Sequence, residues 1–188
     1  MARRSVKVVV AGGFGTGKTT LVRSVSEIEP LTTEEVLTEA SVGVDDLAGI
    51  EEKTSTTVAL DFGRITISPD VVLYLFGTPG QDRFWFMWDE LAYGAVGAIV
   101  LIDTRRLDTS FAAIDYFERR RIPFVVAVNM FYGERLYNED EIRHAVKLNP
   151  DVPVVWCDAR DRSSSKQTLI RLVRHAMARL DVVAQPAG

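Results

Sequence analysis

The stretch "VKVVVAGGFGTGKTTLVRSV" (6–25) constrains this chain more than any other. A β-branched run leads into the spacing G-x-x-x-x-G-K-T, and a helical pattern follows. In that context successive backbone N–H groups can curl around an anion, and the start of the helix adds partial positive charge. Lys18 is placed to reach the β- and γ-phosphates of a nucleotide, and Thr19 to ligate magnesium through its hydroxyl. The expected phosphate-binding set is Gly12, Gly13, Phe14, Gly15, Thr16, Gly17, Lys18, Thr19 and Thr20. A glycine-rich turn without function would not need the strand, the spacing and the helix together.

The rest of the chain alternates in the same way. Residues 55–67 and 71–77 read as strands joined by the turn "SPD", an antiparallel hairpin, with a bulge or bend expected at Gly63. Three more buried strands fit 95–103, 123–129 and 153–157. Helices fit 18–27, 83–93, 108–121, 139–148 and 165–181. In the last, Leu169, Leu172, Val173, Ala176, Met177 and Leu180 repeat at core spacing. Residues 29–53 show no clear period, which fits a long loop or loosely formed structure. The expectation is an α/β phosphate-loop fold: a six-stranded, mostly parallel sheet with one antiparallel hairpin strand and helices on both faces. Residues 1–181 would form the domain and 182–188 a flexible tail. Ligands of such sheets sit at the carboxyl ends of the strands.

Two further segments narrow the chemistry. The strand "TTVALDFG" (56–63) and the loop "GTPGQDRF" (77–84) resemble the two switches of Ras-like small GTPases. With "GTPGQDRFWFMWDEL" (77–91) and "CDARDR" (157–162), the chain is most similar to bacterial Ras-like GTPases encoded beside roadblock-domain and sensor-kinase-like proteins. The gliding-motility GTPases are more distant. The resemblance implies bound GTP or GDP with magnesium, slow hydrolysis, and a cytoplasmic signalling role. It also implies a roadblock-domain regulator, with a sensor-kinase-like protein as a further candidate partner. Gly80 would belong to the nucleotide-binding set, Gln81 would orient the attacking water, and Thr57 would close on magnesium, with Thr54 and Thr56 as rivals. Thr57 could equally be an ordinary strand threonine.

Three departures from that pattern carry information. Gly77 stands where the family has the aspartate on the magnesium side, and Asp82 and Asp103 are the nearby acids that could compensate; Asp103 also reads as a plain polar cap on a strand end. On this reading an aspartate restored at 77 should strengthen magnesium. Phe14 stands where glycine is common and would crowd Gln81. In "VNMFYG" (128–133), Asn129 is kept, Met130 replaces lysine and Tyr132 replaces the aspartate that reads guanine. Losing such a buried acceptor weakens discrimination between bases. Asp158, Ala159 and Arg160 resemble the loop whose central N–H meets the base carbonyl. A nucleotide-holding scaffold without significant turnover is therefore the alternative to a slow switch.

Composition bounds the remaining options. A net charge of −4 does not support nucleic-acid binding, and a single cysteine, Cys157, excludes a disulfide framework. No apolar run approaches the ~20 residues of a membrane span, and neither Ala2 nor the "AQPAG" end offers a lipidation signal. Any membrane contact is expected through a partner. The block Trp85–Trp88 holds four large apolar residues in a row, more than one helix face can bury. It suits either a partner surface or a cover by the first-switch segment.

Overall fold

Along the first strand, Val8 and Val10 pack to one side and Val9 and Ala11 to the other, and all four are buried. Side chains alternate faces with period two, so a strand apolar in every position needs cover on both sides. That requirement organises the computed structural model, which describes residues 4–29, 31–38, 55–80, 86–131, 133 and 135–184, with 31–38, 55–59 and 181–184 as backbone. The strands are β1 (Arg4–Ala11), β2 (Leu31–Thr38), β3 (Ser55–Ser68), β4 (Val71–Gly77), β5 (Gly97–Ile102), β6 (Phe124–Asn129) and β7 (Val154–Cys157). The helices are α1 (Lys18–Val25), α2 (Trp88–Ala92), α3 (Phe111–Arg120), α4 (Glu139–Ala145) and α5 (Arg162–Ala184).

The sheet order is β2-β3-β4-β1-β5-β6-β7. β3 runs antiparallel to both β2 and β4, and the other pairs are parallel. The α/β sheet with one reversed strand is thus present, and all six expected strands are in it. The seventh, β2, falls inside the stretch that lacks a sequence period. Its order comes from backbone pairing of Leu31–Thr38 with Ser55–Phe62, a partnership distant in sequence that leaves no mark on the local pattern. β1 lies at the centre, where the chain winds first to one side and then to the other, and ligands bind above such a point.

α1 and α5 cover one face, through Leu21, Val22, Leu169 and Leu172 against Val8, Leu75, Ile99 and Leu101. Ile114 and Phe117 of α3, with Trp88, cover the other against Val9, Val100 and Val126. Gly63 does not mark a bulge. The register shift lies between Thr66 and Ser68, whereas a Cβ at Gly63 would meet Val22 Cγ1 at 2.8 Å, so glycine here lets α1 approach the sheet. The expected helix over 83–93 is the shorter α2, residues 81–85 lying outside the described set. Trp88 is buried against Tyr116 and Phe117 while Phe86 is 64% exposed, which splits the aromatic block.

The α5 stripe is core only in its first half. Leu169, Leu172 and Ala176 are buried, but Met177 is 59% and Leu180 67% exposed. A 23-residue helix spans roughly 35 Å at 1.5 Å per residue and outruns the short strands it covers. Leu172→Ala is expected to lower stability by about 2–5 kcal/mol, and Leu180→Ala to change it by no more than ~0.5 kcal/mol. Equilibrium urea unfolding measures both, and equal losses would mean that the whole stripe is core.

Candidate functional site

The phosphate loop runs from the end of β1 to the start of α1, with Gly12, Gly15 and Gly17 at positive φ. A Cβ at Gly12 would lie 2.2 Å from the Leu101 carbonyl oxygen, so no larger residue fits there. The loop's side chains are held from within: Thr16 Oγ1 donates to the Gly13 carbonyl at 3.0 Å. Lys18 Nζ donates to the carbonyls of Gly12 (2.9 Å) and Gly13 (2.7 Å). Lys18 is buried, and desolvation lowers its pKa to about 8 against an opposing pull from Asp61. Phe14 turns outward and is 65% exposed.

Asp82 lies outside the described residues, and the acid that the fold brings beside Gly77 and Thr19 is Asp61 on β3. Asp61 is buried and pairs in register with Gly77 across the β3–β4 hairpin, and its Oδ2 accepts from Thr19 Oγ1 at 2.5 Å. A Cβ at Gly77 would stand 3.0 Å from Asp61 Cβ and 3.2 Å from Oδ2. The glycine is the space in which the neighbouring strand's carboxylate sits. An aspartate added at 77 would put a second carboxylate against the first, which reverses the expectation that it would strengthen magnesium.

Asp103 is committed elsewhere. It is 1% exposed at its side chain, and Arg105 holds it with Nε at 2.9 Å and Nη2 at 2.8 Å. These hydrogen bonds keep its carboxyl below the usual range against the opposing effect of burial. The strand-cap reading holds for it. Arg106, the next residue, approaches Asp103 only to 3.8 Å through Nε and donates from Nη2 to the Phe14 carbonyl at 2.8 Å.

Asn129, at the end of β6, joins the phosphate loop to the loop after β7. Its Nδ2 donates to the Thr16 carbonyl at 2.9 Å, and its Oδ1 accepts from the Ala159 N–H at 3.2 Å. The N–H expected to meet a base carbonyl is therefore engaged by Asn129 in this structure. Asp158 is bound by Arg160 through Nε (2.9 Å) and Nη2 (2.8 Å), which holds its carboxyl below the ordinary range. Met130 follows directly and is half-buried. Gln81, Tyr132 and Thr54 lie outside the described residues.

Thr57 is in β3, paired with Val36 of β2, and Thr56 pairs with Leu37. Four residues along a strand at ~3.3 Å each place Thr57 roughly 13 Å from Asp61, out of reach of Thr19 in this conformation. The physical reason is β2: it draws 55–62 into the sheet. Gly80 lies against the phosphate loop, where a Cβ would meet Lys18 Nζ at 2.7 Å and the Phe14 backbone at 2.9 Å. The expected positions 12–19, 80, 129 and 158–160 converge at the carboxyl edge of the sheet, and the sequence reading missed Asp61 and Arg106.

Burial of Lys18 has a consequence for pH. With its folded pKa lowered to about 8 from an ordinary value near 10.4, both states are protonated below pH 8 and the penalty is constant. Above pH 8 the folded state loses the proton first, so the unfolded state binds more protons and this group's contribution to stability rises with pH. Cys157 and Tyr116, both raised chiefly by burial, act in the opposite sense at alkaline pH. The difference between wild type and Lys18→Met isolates the lysine. Urea unfolding from pH 7.5 to 9.5 should show wild type gaining on Lys18→Met as pH rises, and parallel curves would contradict the lysine's burial.

Known proteins bear on this geometry. The family model described as conserved hypothetical ATP-binding protein matches residues 10–179. An uncharacterized protein of Methanocaldococcus jannaschii is 33% identical over 131 residues, covering 69% of this chain and 72% of that one. Among solved structures, the G domain of the T. maritima FeoB iron transporter superposes with a TM-score of 0.58 at 18% identity, over 93% of this chain and 98% of that one. The apo cytosolic domain of the same transporter gives 0.63 at 16% identity over 92% of this chain, which spans 64% of that domain. Those identities show a shared fold. No helix among the described residues is long and apolar enough to cross a membrane. With a phosphate loop on a G-domain-like sheet and a family match over nearly its whole length, the chain belongs to the conserved hypothetical ATP-binding protein family of nucleotide-binding phosphate-loop proteins.

Proposed function

We propose that this protein is a magnesium-dependent nucleotide switch that binds GTP and GDP, hydrolyses GTP slowly, and signals in the cytoplasm through a roadblock-domain partner. The observation that carries the switch reading is the packing of Gly80 on Lys18 and the Phe14 backbone. The ammonium that would meet a γ-phosphate touches the loop whose movement would report that phosphate. A ligand that draws Lys18 away from the Gly12 and Gly13 carbonyls changes the surface on which Gly80 rests.

Magnesium fits the residues present. A hydroxyl and a carboxylate are hard oxygen donors, and Thr19 with Asp61 supplies both beside the phosphate loop. When bound, the ion would neutralise charge on the outer phosphates. Thr19 and Asp61 would hold it, Lys18 and the loop N–H groups would bind the phosphates, and Gln81 would orient the attacking water. Phe86, exposed beside the second-switch segment, suits the edge of a partner surface near Trp85–Trp88. A scaffold with relaxed base choice is the second reading. It is favoured by the engagement of the Ala159 N–H with Asn129 and by Met130 and Tyr132 in place of the guanine-reading pair.

Calorimetry with GDP, GTP and ATP tests the binding. Wild type should bind guanine nucleotides and Lys18→Ala should bind none tightly; unchanged affinity in the variant would refute the phosphate-loop assignment. Tyr132→Asp should sharpen the preference for GTP over ATP by ~1–3 kcal/mol, unless another group already reads guanine.

The acid on β3 makes a separate prediction. Asp61→Gly should raise the magnesium concentration needed for half-maximal GTP binding about 10–100-fold, and Gly77→Asp alone should not lower it. The double variant Asp61→Gly/Gly77→Asp moves the carboxylate to the adjoining strand and should recover much of the loss. A magnesium titration of fluorescent GTP decides this, and an Asp61→Gly protein with unaltered magnesium dependence would exclude Asp61 from the ion's surroundings.

A further inference from the structure

We propose that Arg106 supplies, from within the chain, the arginine that contacts the phosphates of the bound nucleotide during hydrolysis. This rests on the switch reading above and assigns its turnover to a residue outside both switches.

Arg106 sits on the turn between β5 and α3, and its main chain is fixed from both sides. Its N–H donates to the Asp103 carbonyl at 2.9 Å, and its own carbonyl accepts from Thr109 Oγ1 at 2.8 Å. The side chain crosses to the phosphate loop, where Nη2 reaches the Phe14 carbonyl and would stand 3.0 Å from a Cβ on Gly15. The neighbouring Arg105 shows what a purely structural arginine does in this turn. It is locked on Asp103 and lies over the Phe131 ring at 4.2 Å. With Asp103 so engaged, its contact with Arg106 is only a 3.8 Å approach to Nε.

A guanidinium carries five N–H donors in a planar fork. Among the described residues Arg106 places one of them, on a neutral carbonyl, and the side chain stays 47% exposed. A phosphate oxygen is a stronger, charged acceptor that the fork can grip with two bonds. In hydrolysis the water oxygen attacks the γ-phosphorus, the bond from that phosphorus to the β–γ bridging oxygen breaks, and the water proton ends on inorganic phosphate. Negative charge collects on the GDP leaving oxygen, and a guanidinium at the rim of the loop offsets it. Phe14 stands exposed beside it.

The test uses the full chain with GDP, GTP and aluminium fluoride. Arg106→Ala should lower single-turnover GTP hydrolysis about ten- to a hundredfold, the span between switches with and without an arginine in cis. Its GDP affinity should stay within about threefold of wild type, since the change removes charge stabilisation of the transition state rather than ground-state binding. Wild type loaded with GDP should form the aluminium fluoride complex unaided and Arg106→Ala should not. Arg106→Lys should not restore turnover, because an ammonium lacks the fork. Wild-type turnover in Arg106→Ala overturns the proposal. So does an equal loss of GDP affinity and turnover, which would make Arg106 a strut for the loop. A wild type that binds GDP but neither hydrolyses GTP nor forms the fluoride complex also overturns it while leaving nucleotide binding intact. A wild type that binds no nucleotide removes the switch reading and this one with it.

Discussion

The hydrogen bond from Thr19 Oγ1 to Asp61 Oδ2 joins the first turn of α1 to β3, and the layout of the site depends on it. α1 carries the end of the phosphate loop, and among the described residues β3 is the only strand that runs backwards. Through this contact, the loop that would hold phosphate is tied at its helix end to the hairpin leading into Gly77–Gly80. The carboxylate is buried, so a hydroxyl, a cation or an ordered water must face it, since a buried charge without a partner is costly. In this structure the Thr19 hydroxyl fills that place, and on the proposed reading a cation would share it.

Asn129 plays the complementary part on the other side. Its amide bridges the Thr16 carbonyl and the Ala159 N–H, so the loops after β1, β6 and β7 form one unit. The loop that would hold phosphate is fixed to the loops that would hold a base, while Gly80 only leans on it. Rigid contacts lie toward β6 and β7, and the adjustable contact lies toward β4. On the proposed reading, this asymmetry would separate holding a nucleotide from reporting its state.

Much of this was legible in the chain. The loop at 12–19 with its strand and helix followed from spacing, and Gly80, Asn129 and Ala159 from the resemblance to Ras-like GTPases. Asp61 does not stand out in the sequence, because it is neither close to Gly77 in the chain nor at a strand end. Asp61 is adjacent through a hairpin, and the information was available: counting outward from the "SPD" turn brings Asp61 within one residue of Gly77, and the Thr66/Ser68 register shift supplies the rest. β2 was illegible for a different reason, since its order comes from a partner strand and not from its own pattern. Arg106 carries no local signal that separates it from Arg105, because only the fold sends one to Asp103 and the other to Phe14.

Gly63 and Gly77 also act together as an index for β3. A strand can slide by two residues and keep the same side chains on the same face. In β3 such a slide would bring Asp61 or Ile65 into the notch where Gly63 meets Val22 and Ser26, and would present Ala59 or Gly63 to Thr19 in place of the carboxylate. One direction jams a charge, and the other a branched side chain, into a helix packed at 2.8 Å from a mere Cβ. The hairpin therefore has a single setting against α1, which fixes where the Asp61 carboxylate stands relative to Thr19.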